Sequence, residues 1–273
     1  FLMNQGTAVV NQDDAYGRRL IEMLRVQGKP VLTYGMTHGC DFRAEQMTWT
    51  SAGTAFNLSL PSAGSVVCVP GFGRIQVYNA LAVFSALSAL GFTSEAVFGA
   101  AAGMKPVPGR MERVAGKWPY DVFVDFAHTP DALRNILEIA REMTRGNLHI
   151  LFGCGGDRDR VKRPVMGGIA ASLADWVYLT SDNPRSESPE AILSEILAGS
   201  PERQRHKVLV ESDRRSAIRQ AVCRLEAGDV LILAGKGHEA YQIIGAVKHH
   251  FDDREEALDA LAQRQRKEAA DQD

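Results

Sequence analysis

Apolar residues along this chain fall into two regimes, and the change between them lies near residue 105. In the first regime the apolar runs are short and mixed. Residues 7–11 predict a buried strand, ended by Gln12-Asp13-Asp14, and 15–27 predict a helix with Leu20, Ile21, Leu24 and Val26 as its apolar contacts. Gly28-Lys29-Pro30 stops that helix, and 30–34 read as another short strand. Over 41–69 apolar and polar positions alternate, which predicts an antiparallel meander with Pro61-Ser62-Ala63-Gly64 as one of its turns. Residues 78–90 predict a strongly apolar helix stopped by Gly91, and Thr93-Ser94-Glu95 caps a second one to about Ala102.

The breaker-rich stretch Met104-Lys105-Pro106-Val107-Pro108-Gly109 then divides the chain into 1–105 and 106–273. Beyond it, apolar strand-length runs at 120–126, 148–154, 176–182, 207–212 and 229–235 alternate with helical patterns at 130–141, 164–173, 189–197 and 214–225. Such alternation predicts an α/β domain with a mainly parallel sheet and helices on both faces. A hairpin about Gly245 (241–244 with 248–251), a last helix over 253–264 and a frayed polar tail over 265–273 complete the reading.

Composition narrows the function classes. With 273 residues, 45% apolar and 23% charged, the chain is long enough for two packed cores. A formal charge of −2 gives no basic field for nucleic acid, and no apolar run of membrane-spanning length occurs. Cys40, Cys68, Cys154 and Cys223 are scattered, which argues for neither a zinc site nor a disulfide framework and fits a reducing cytoplasm. Phe1-Leu2-Met3-Asn4-Gln5 lacks the basic start and apolar core of a signal peptide, and reads as the middle of an element.

The polar clusters of the second half fall where strands end. They are Asp125-Phe126-Ala127-His128-Thr129-Pro130, the charged loop from Gly155 to Arg163, Ser181-Asp182-Asn183-Pro184-Arg185-Ser186-Glu187, and Gly235-Lys236-Gly237-His238-Glu239. Parallel strands place these ends along one sheet edge, where open α/β folds bind ligands. Asp182, Asn183 and Pro184 stiffen a turn that presents Arg185, whose guanidinium suits a carboxylate, while Glu239 suits an ammonium group. The 155–163 loop lacks the Gly-Lys-Ser/Thr ending of a phosphate loop. Taken singly, each loop also reads as a solvated surface turn, His128 as an ordered turn histidine, and Arg203 and Arg205 as surface decoration. Taken together they describe a pocket for an amino acid with two zwitterionic ends.

These stretches, with Ala8-Val9-Val10-Asn11, Asp13-Asp14, Val77-Tyr78-Asn79-Ala80-Leu81-Ala82 and Pro108-Gly109-Arg110-Met111-Glu112, run in the order found in a known family across almost the whole chain. The chain resembles the Mur ligases, ATP-dependent amide-forming enzymes of peptidoglycan synthesis, and within them the diaminopimelate-adding type. The resemblance implies the C-terminal part of that family's central ATP-binding domain over 1–105, then a Rossmann-like amino-acid-binding domain over 106–273. It implies that Arg158, Asp182, Asn183, Pro184, Arg185, Gly235 and Glu239 hold diaminopimelate, and that Asn79, Arg110, Asp125 and His128 approach ATP. It implies ATP and Mg²⁺ as cofactors, and small-molecule partners: diaminopimelate and a UDP-N-acetylmuramoyl dipeptide whose glutamate carboxylate is activated as an acyl phosphate. A cytoplasmic monomer is expected, with no catalytic or metal-ligating residue in this stretch.

The uridine-nucleotide domain, the phosphate loop ending in Gly-Lys-Thr and the modified lysine of the family lie outside this sequence, so the chain alone is expected not to ligate. Gln76 stands where the family usually has Asn. A lysine-adding, folylpolyglutamate or cyanophycin-type relative is the competing expectation, and a non-catalytic amino-acid-binding module is the competing one for this chain alone. Arg185 and the 235–239 cluster disfavour the other ligases.

Overall fold

The computed structural model describes residues 6–50, 53–61 and 63–270. The readings made on residues 1–5, on Ser62 and on the last three residues of the tail lie outside these. The chain divides into two compact units, Phe1–Pro106 and Val107–Asp273.

In the first unit, β1 (Ala8–Asn11), α1 (Ala15–Val26), β2 (Val31–Gly35), β3 (Phe42–Thr50), β4 (Gly53–Ser59), β5 (Gly64–Val69), α2 (Arg74–Ala89) and α3 (Ser94–Gly103) follow in order. The strands form one sheet in sequence order. β1, β2 and β3 are parallel neighbours, and β3, β4 and β5 are the antiparallel meander that the alternation predicts. Phe42, Phe56, Leu58, Val69, Val77, Leu81 and Phe84 pack its core. Helix α2 starts a turn earlier than its apolar pattern shows, because Arg74 and Ile75 in that turn are exposed and carry no periodicity. Asp13, just after β1, accepts hydrogen bonds from Met36 N, Thr37 N, Thr37 Oγ1 and the Tyr78 hydroxyl. Burial opposes its charge, but these bonds outweigh burial and hold the carboxyl below its usual range.

The second unit contains β6 (Glu112–Arg113), β7 (Asp121–Asp125), α4 (Pro130–Met143), β8 (Leu148–Phe152), α5 (Lys162–Leu173), β9 (Trp176–Leu179) and α6 (Pro189–Ala198). A 3₁₀ turn (Glu202–Lys207), β10 (Val208–Val210), α7 (Arg214–Arg224), β11 (Val230–Ala234), β12 (Tyr241–Ile244), β13 (Val247–His250) and α8 (Asp253–Ala270) follow. The main sheet runs β10-β9-β8-β11-β7-β6, parallel except for the two-residue β6, which is too short for the pattern to reveal.

Side chains alternate across a strand. Val122, Val124, Leu151, Tyr178, Leu231 and Leu233 pack with α7 and α8. The alternate positions Phe123, Ile150, Val177, Leu179 and Ile232 are equally buried, toward α4, α5 and α6, which lie side by side. Each such residue contributes about 1.5–3 kcal/mol by leaving water.

Several boundaries differ from the sequence reading: the strand read over 176–182 ends at Leu179, that read over 207–212 covers only Val208–Val210, and two helix ends also move. Helix α5 begins at Lys162, before Pro164, because amides in a helix's first turn have no intrahelical acceptor and proline forfeits nothing there. Helix α8 continues to Ala270 where a frayed tail is expected from 265. The Arg264–Glu268 pair, one turn apart at 2.6 Å, and a run of strong helix formers extend it.

At the sheet edge away from the long loops, His149 Nε2 lies 3.1 Å from Asp229 Oδ2, and His149 Nδ1 lies 3.3 Å from the Tyr178 hydroxyl. The neutral ring protonated on Nε2 satisfies both partners. Burial lowers the His149 pKa, more than Asp229 raises it. The unfolded ring then takes up its proton first as pH falls. The stability from neutral His149 is therefore complete above about pH 6.5 and is lost as pH falls from there toward the folded value. Urea unfolding across mildly acidic pH should show this loss, and His149→Gln should remove it; identical pH slopes in the two chains would refute the assignment.

Candidate active site

Four strands, β7, β8, β9 and β11, deliver their carboxyl ends to one edge, and the loops that follow are laced to one another. After β8, Gly156 N donates to Asn183 O, and a Cβ on Gly156 would stand 1.8 Å from Pro184 O, so only glycine lets these two loops touch. Asp157 takes a positive φ of 54° and accepts from Ser186 through both its oxygens, while its own amide donates to Glu187. Arg163, wholly buried, forks onto Glu187, reaches Glu195 at 2.8 Å and donates to Gly155 O. The β8 and β9 loops thus form one body.

Arg185 is held by backbone as well as side chain. Its amide donates to Ile243 O and its carbonyl accepts from Gly245 N, so the β12–β13 hairpin clamps it. Its φ of +53° is a conformation a residue other than glycine rarely adopts, and such positions cost about 1–3 kcal/mol. Its Nη1 donates to Gly156 O at 2.8 Å, which aims the fork. Gly155 lies between the two arginines: a Cβ there would meet Arg185 Nη1 at 2.9 Å and Arg158 Cγ at 3.6 Å.

The same cavity has a carboxylate end, built on Asn183. Glu239 Oε2 accepts from Asn183 Nδ2 at 3.0 Å, and Oε1 accepts from the Tyr241 hydroxyl at 3.3 Å. Asn183 Oδ1 in turn accepts from Ile243 N, so Asn183 ties the β9 loop to Glu239 and the hairpin. Asp182 is buried, and its Oδ1 has no hydrogen-bond partner. Burial pushes its carboxyl up, while Arg214 and Lys236 pull it back. Gly235 has φ +107°, and a Cβ on it would press to 2.8 Å of Asp182 Oδ2.

These groups line one cavity of about 460 Å³. Of the residues singled out from sequence, Arg158, Asp182, Asn183, Arg185, Gly235, Glu239 and His128 share its wall, and Pro184 is buried behind it. Arg110 and Asp125 are not among its lining residues. Arg110 is exposed, 5.0 Å over the Phe126 ring. Asp125 is buried, raised by that burial, with one oxygen on Met111 N and the other on Ala127 N, so it fixes the Arg110 turn to the end of β7. Asn79 is exposed on α2, in the first unit. Arg203 and Arg205 are exposed, as read.

Phe126, Thr129, Asp159 and Lys162, which lie in the named clusters but were given no role there, join the wall. Lys162 Nζ donates to His128 O at 2.7 Å and bridges two loops; a run of neighbouring cations hides it in the sequence. The wall therefore offers Arg158, Arg185 and Lys162 to anions and Asp182 with Glu239 to a cation, a pattern that fits a zwitterion. Among the described residues no His, Cys, Asp or Glu cluster is placed to hold a metal ion, and no helix is long and apolar enough to cross a membrane.

Comparison with known proteins gives the same outline twice. Residues 1–87 match the Mur ligase middle domain, and 109–237 match the Mur ligase glutamate ligase domain. Curated relatives named UDP-N-acetylmuramoyl-L-alanyl-D-glutamate–2,6-diaminopimelate ligase include one from Thermosynechococcus vestitus, 47% identical over 262 residues, covering 95% of this chain and 52% of the relative. Another, from Gloeobacter violaceus, is 48% identical over 260 residues, with the same coverages. A solved structure of that name aligns with a TM-score of 0.68 at 36% identity, over 95% of this chain and 54% of that one. A MurF ligase from Thermotoga maritima in complex with ADP aligns with a TM-score of 0.65 at 18% identity, over 97% of this chain and 55% of that one, which speaks to the fold alone. The chain spans about half the length of the curated relatives it matches.

Proposed function

Since the chain belongs to the Mur ligases, we propose that it supplies the amino-acid-binding half of an ATP-dependent ligase that joins meso-diaminopimelate to UDP-N-acetylmuramoyl-L-alanyl-D-glutamate. In this reading residues 1–105 belong to the central ATP-binding domain and 106–273 form the amino-acid-binding domain. The observation that carries it is one cavity lined both by cations, Arg158 and Arg185, and by carboxylates, Asp182 and Glu239.

Diaminopimelate has an amine and a carboxylate at each end, and lysine lacks one of the carboxylates. Arg185 and Arg158 grip the distal carboxylate, and Glu239 with Asp182 takes the ammonium beside it. Gripping one end leaves the other amine for attack on the activated glutamate. ATP supplies the phosphoryl group that makes an acyl phosphate of an unreactive carboxylate, with Mg²⁺ spreading the phosphate charge. Toward ATP, Arg110 offers an exposed guanidinium braced on Phe126, Asp125 holds the Arg110 turn, and His128, its Nδ1 bonded to Phe126 O, lines the cavity. Asn79 would serve from the first unit. The enzyme would act in the cytoplasm as a monomer, on small molecules.

Isothermal titration of this chain with diaminopimelate, lysine and glutamate tests the reading. Diaminopimelate is expected to bind and the two others to bind at least tenfold more weakly, the loss of one charge-assisted contact. Equal affinity for lysine would move the chain to the lysine-adding relatives, and a preference for glutamate would end the proposal.

A further inference from the structure

Beneath the carboxylate wall lies a cation that does not line the cavity. Lys236 is wholly buried, yet its Nζ donates to Asn183 Oδ1 at 3.4 Å and stands 3.9 Å from Asp182 Oδ1 and 3.8 Å from Glu239 Oε2. It also lies 5.7 Å from the centre of the Tyr241 ring, within cation–π range. The charged groups around it come from every element packed there. Asp182 comes from the β9 loop, Glu239 from its own loop, Arg214 from α7 and Asp253 from α8. Arg214 and Asp253 are forked together at 2.7 and 2.8 Å. Three carboxylates thus face two cations, all buried except the half-buried Glu239, and the set is one positive charge short.

We propose that Lys236 is the positioning residue that sets the charge of this end of the cavity: it keeps Asp182 ionised beside Glu239, so that one ligand ammonium, and neither a proton nor a second cation, completes the set. The proposal rests on the amino-acid-binding reading above and adds a residue to it. A buried carboxylate beside a second one does not ionise readily without a counter-charge, because repulsion adds to the loss of hydration. Asp182 and Glu239 both line the cavity, where a ligand ammonium reaches them, while the buried, unbonded Oδ1 of Asp182 faces Lys236 at 3.9 Å. Burial lowers the Lys236 pKa, so the same carboxylates that it stabilises are needed to keep it charged.

The test compares the unsubstituted chain with Lys236→Met, which keeps the stem and removes the charge. Without ligand, carboxyl ¹³C NMR at neutral pH is expected to find Asp182 ionised in the first and protonated in the second. In titrations, diaminopimelate affinity of the unsubstituted chain should be flat across neutral pH. In the variant it should rise about tenfold per pH unit, because one proton leaves for each ammonium bound. Packing damage alone would lower affinity without that slope.

An Asp182 that is ionised in both chains overturns the proposal. So does a variant whose affinity is as flat with pH as that of the unsubstituted chain. If the variant does not fold, the ¹³Cε resonance of Lys236 in the unsubstituted chain decides, and a neutral amine there overturns it. Absence of diaminopimelate binding together with the expected change at Asp182 would sink the substrate reading and leave Lys236 in its role.

Discussion

Arg185→Ala is expected to weaken diaminopimelate binding by about 2–5 kcal/mol, the range for truncating one side of a hydrogen-bonded charge pair. That is roughly 30-fold to several thousand-fold in Kd. The size follows from how the residue is prepared. Its backbone is fixed by Ile243 and Gly245, and one arm of its fork rests on the Gly156 carbonyl. Little side-chain entropy remains to be lost on binding, so most of the interaction appears as affinity. In the variant the distal carboxylate would face only Arg158, on the exposed loop after β8, and Lys162, at the start of α5. Lysine has no such carboxylate, and its affinity should change little, so the preference between the two amino acids should collapse.

Arg185→Lys should not restore the preference, because a single ammonium does not hold the Gly156 carbonyl and grip a carboxylate with two parallel bonds at once. Calorimetry on the three chains reads all of this. A diaminopimelate affinity that survives Arg185→Ala unchanged would place the carboxylate contact elsewhere.

How much of this was legible beforehand depends on range. The strands of the second unit were readable because β8 and β11 are buried on both faces and show as unbroken apolar runs between turn signals. Parallel order then put their following loops on one edge, and the shared cavity of Arg158, Arg185 and Glu239 follows from that alone. What stayed hidden was set by partners distant in the chain. The hairpin about Gly245 was visible, but its pairing with Arg185 was not, since no local pattern announces a single parallel bridge. Asp125 looked free to meet a ligand, yet both its oxygens serve backbone amides, one of them 14 residues back. Among many arginines, nothing local separated Arg163 and Arg214, wholly or almost wholly buried, from the exposed Arg203 and Arg205. A buried arginine differs from a surface one only in having a carboxylate waiting for it, and for Arg214 that carboxylate is 39 residues away.

That pair gives the largest expected effect on stability. Arg214 is 1% exposed, and its fork binds both oxygens of Asp253, itself wholly buried at the start of α8. The same guanidinium donates to Ala234 O at 3.0 Å and to Ser181 O at 3.4 Å, so it joins the ends of β9 and β11 to α8. Arg214→Met leaves a carboxylate without its partner in a site closed to water and strips two carbonyls of a donor. Breaking a buried pair from one side costs about 3–5 kcal/mol, against a total stability of order 5–15 kcal/mol for a domain.

Urea unfolding of the variant should show that loss as a lower midpoint with little change in slope. Adding Asp253→Leu should restore much of it, because the stranded charge rather than the missing contact dominates the cost. A loss below about 1 kcal/mol in the single variant would mean that water reaches Asp253. The counter-charge assigned to Lys236 would then be needed less as well, since Asp182 draws on the same two cations.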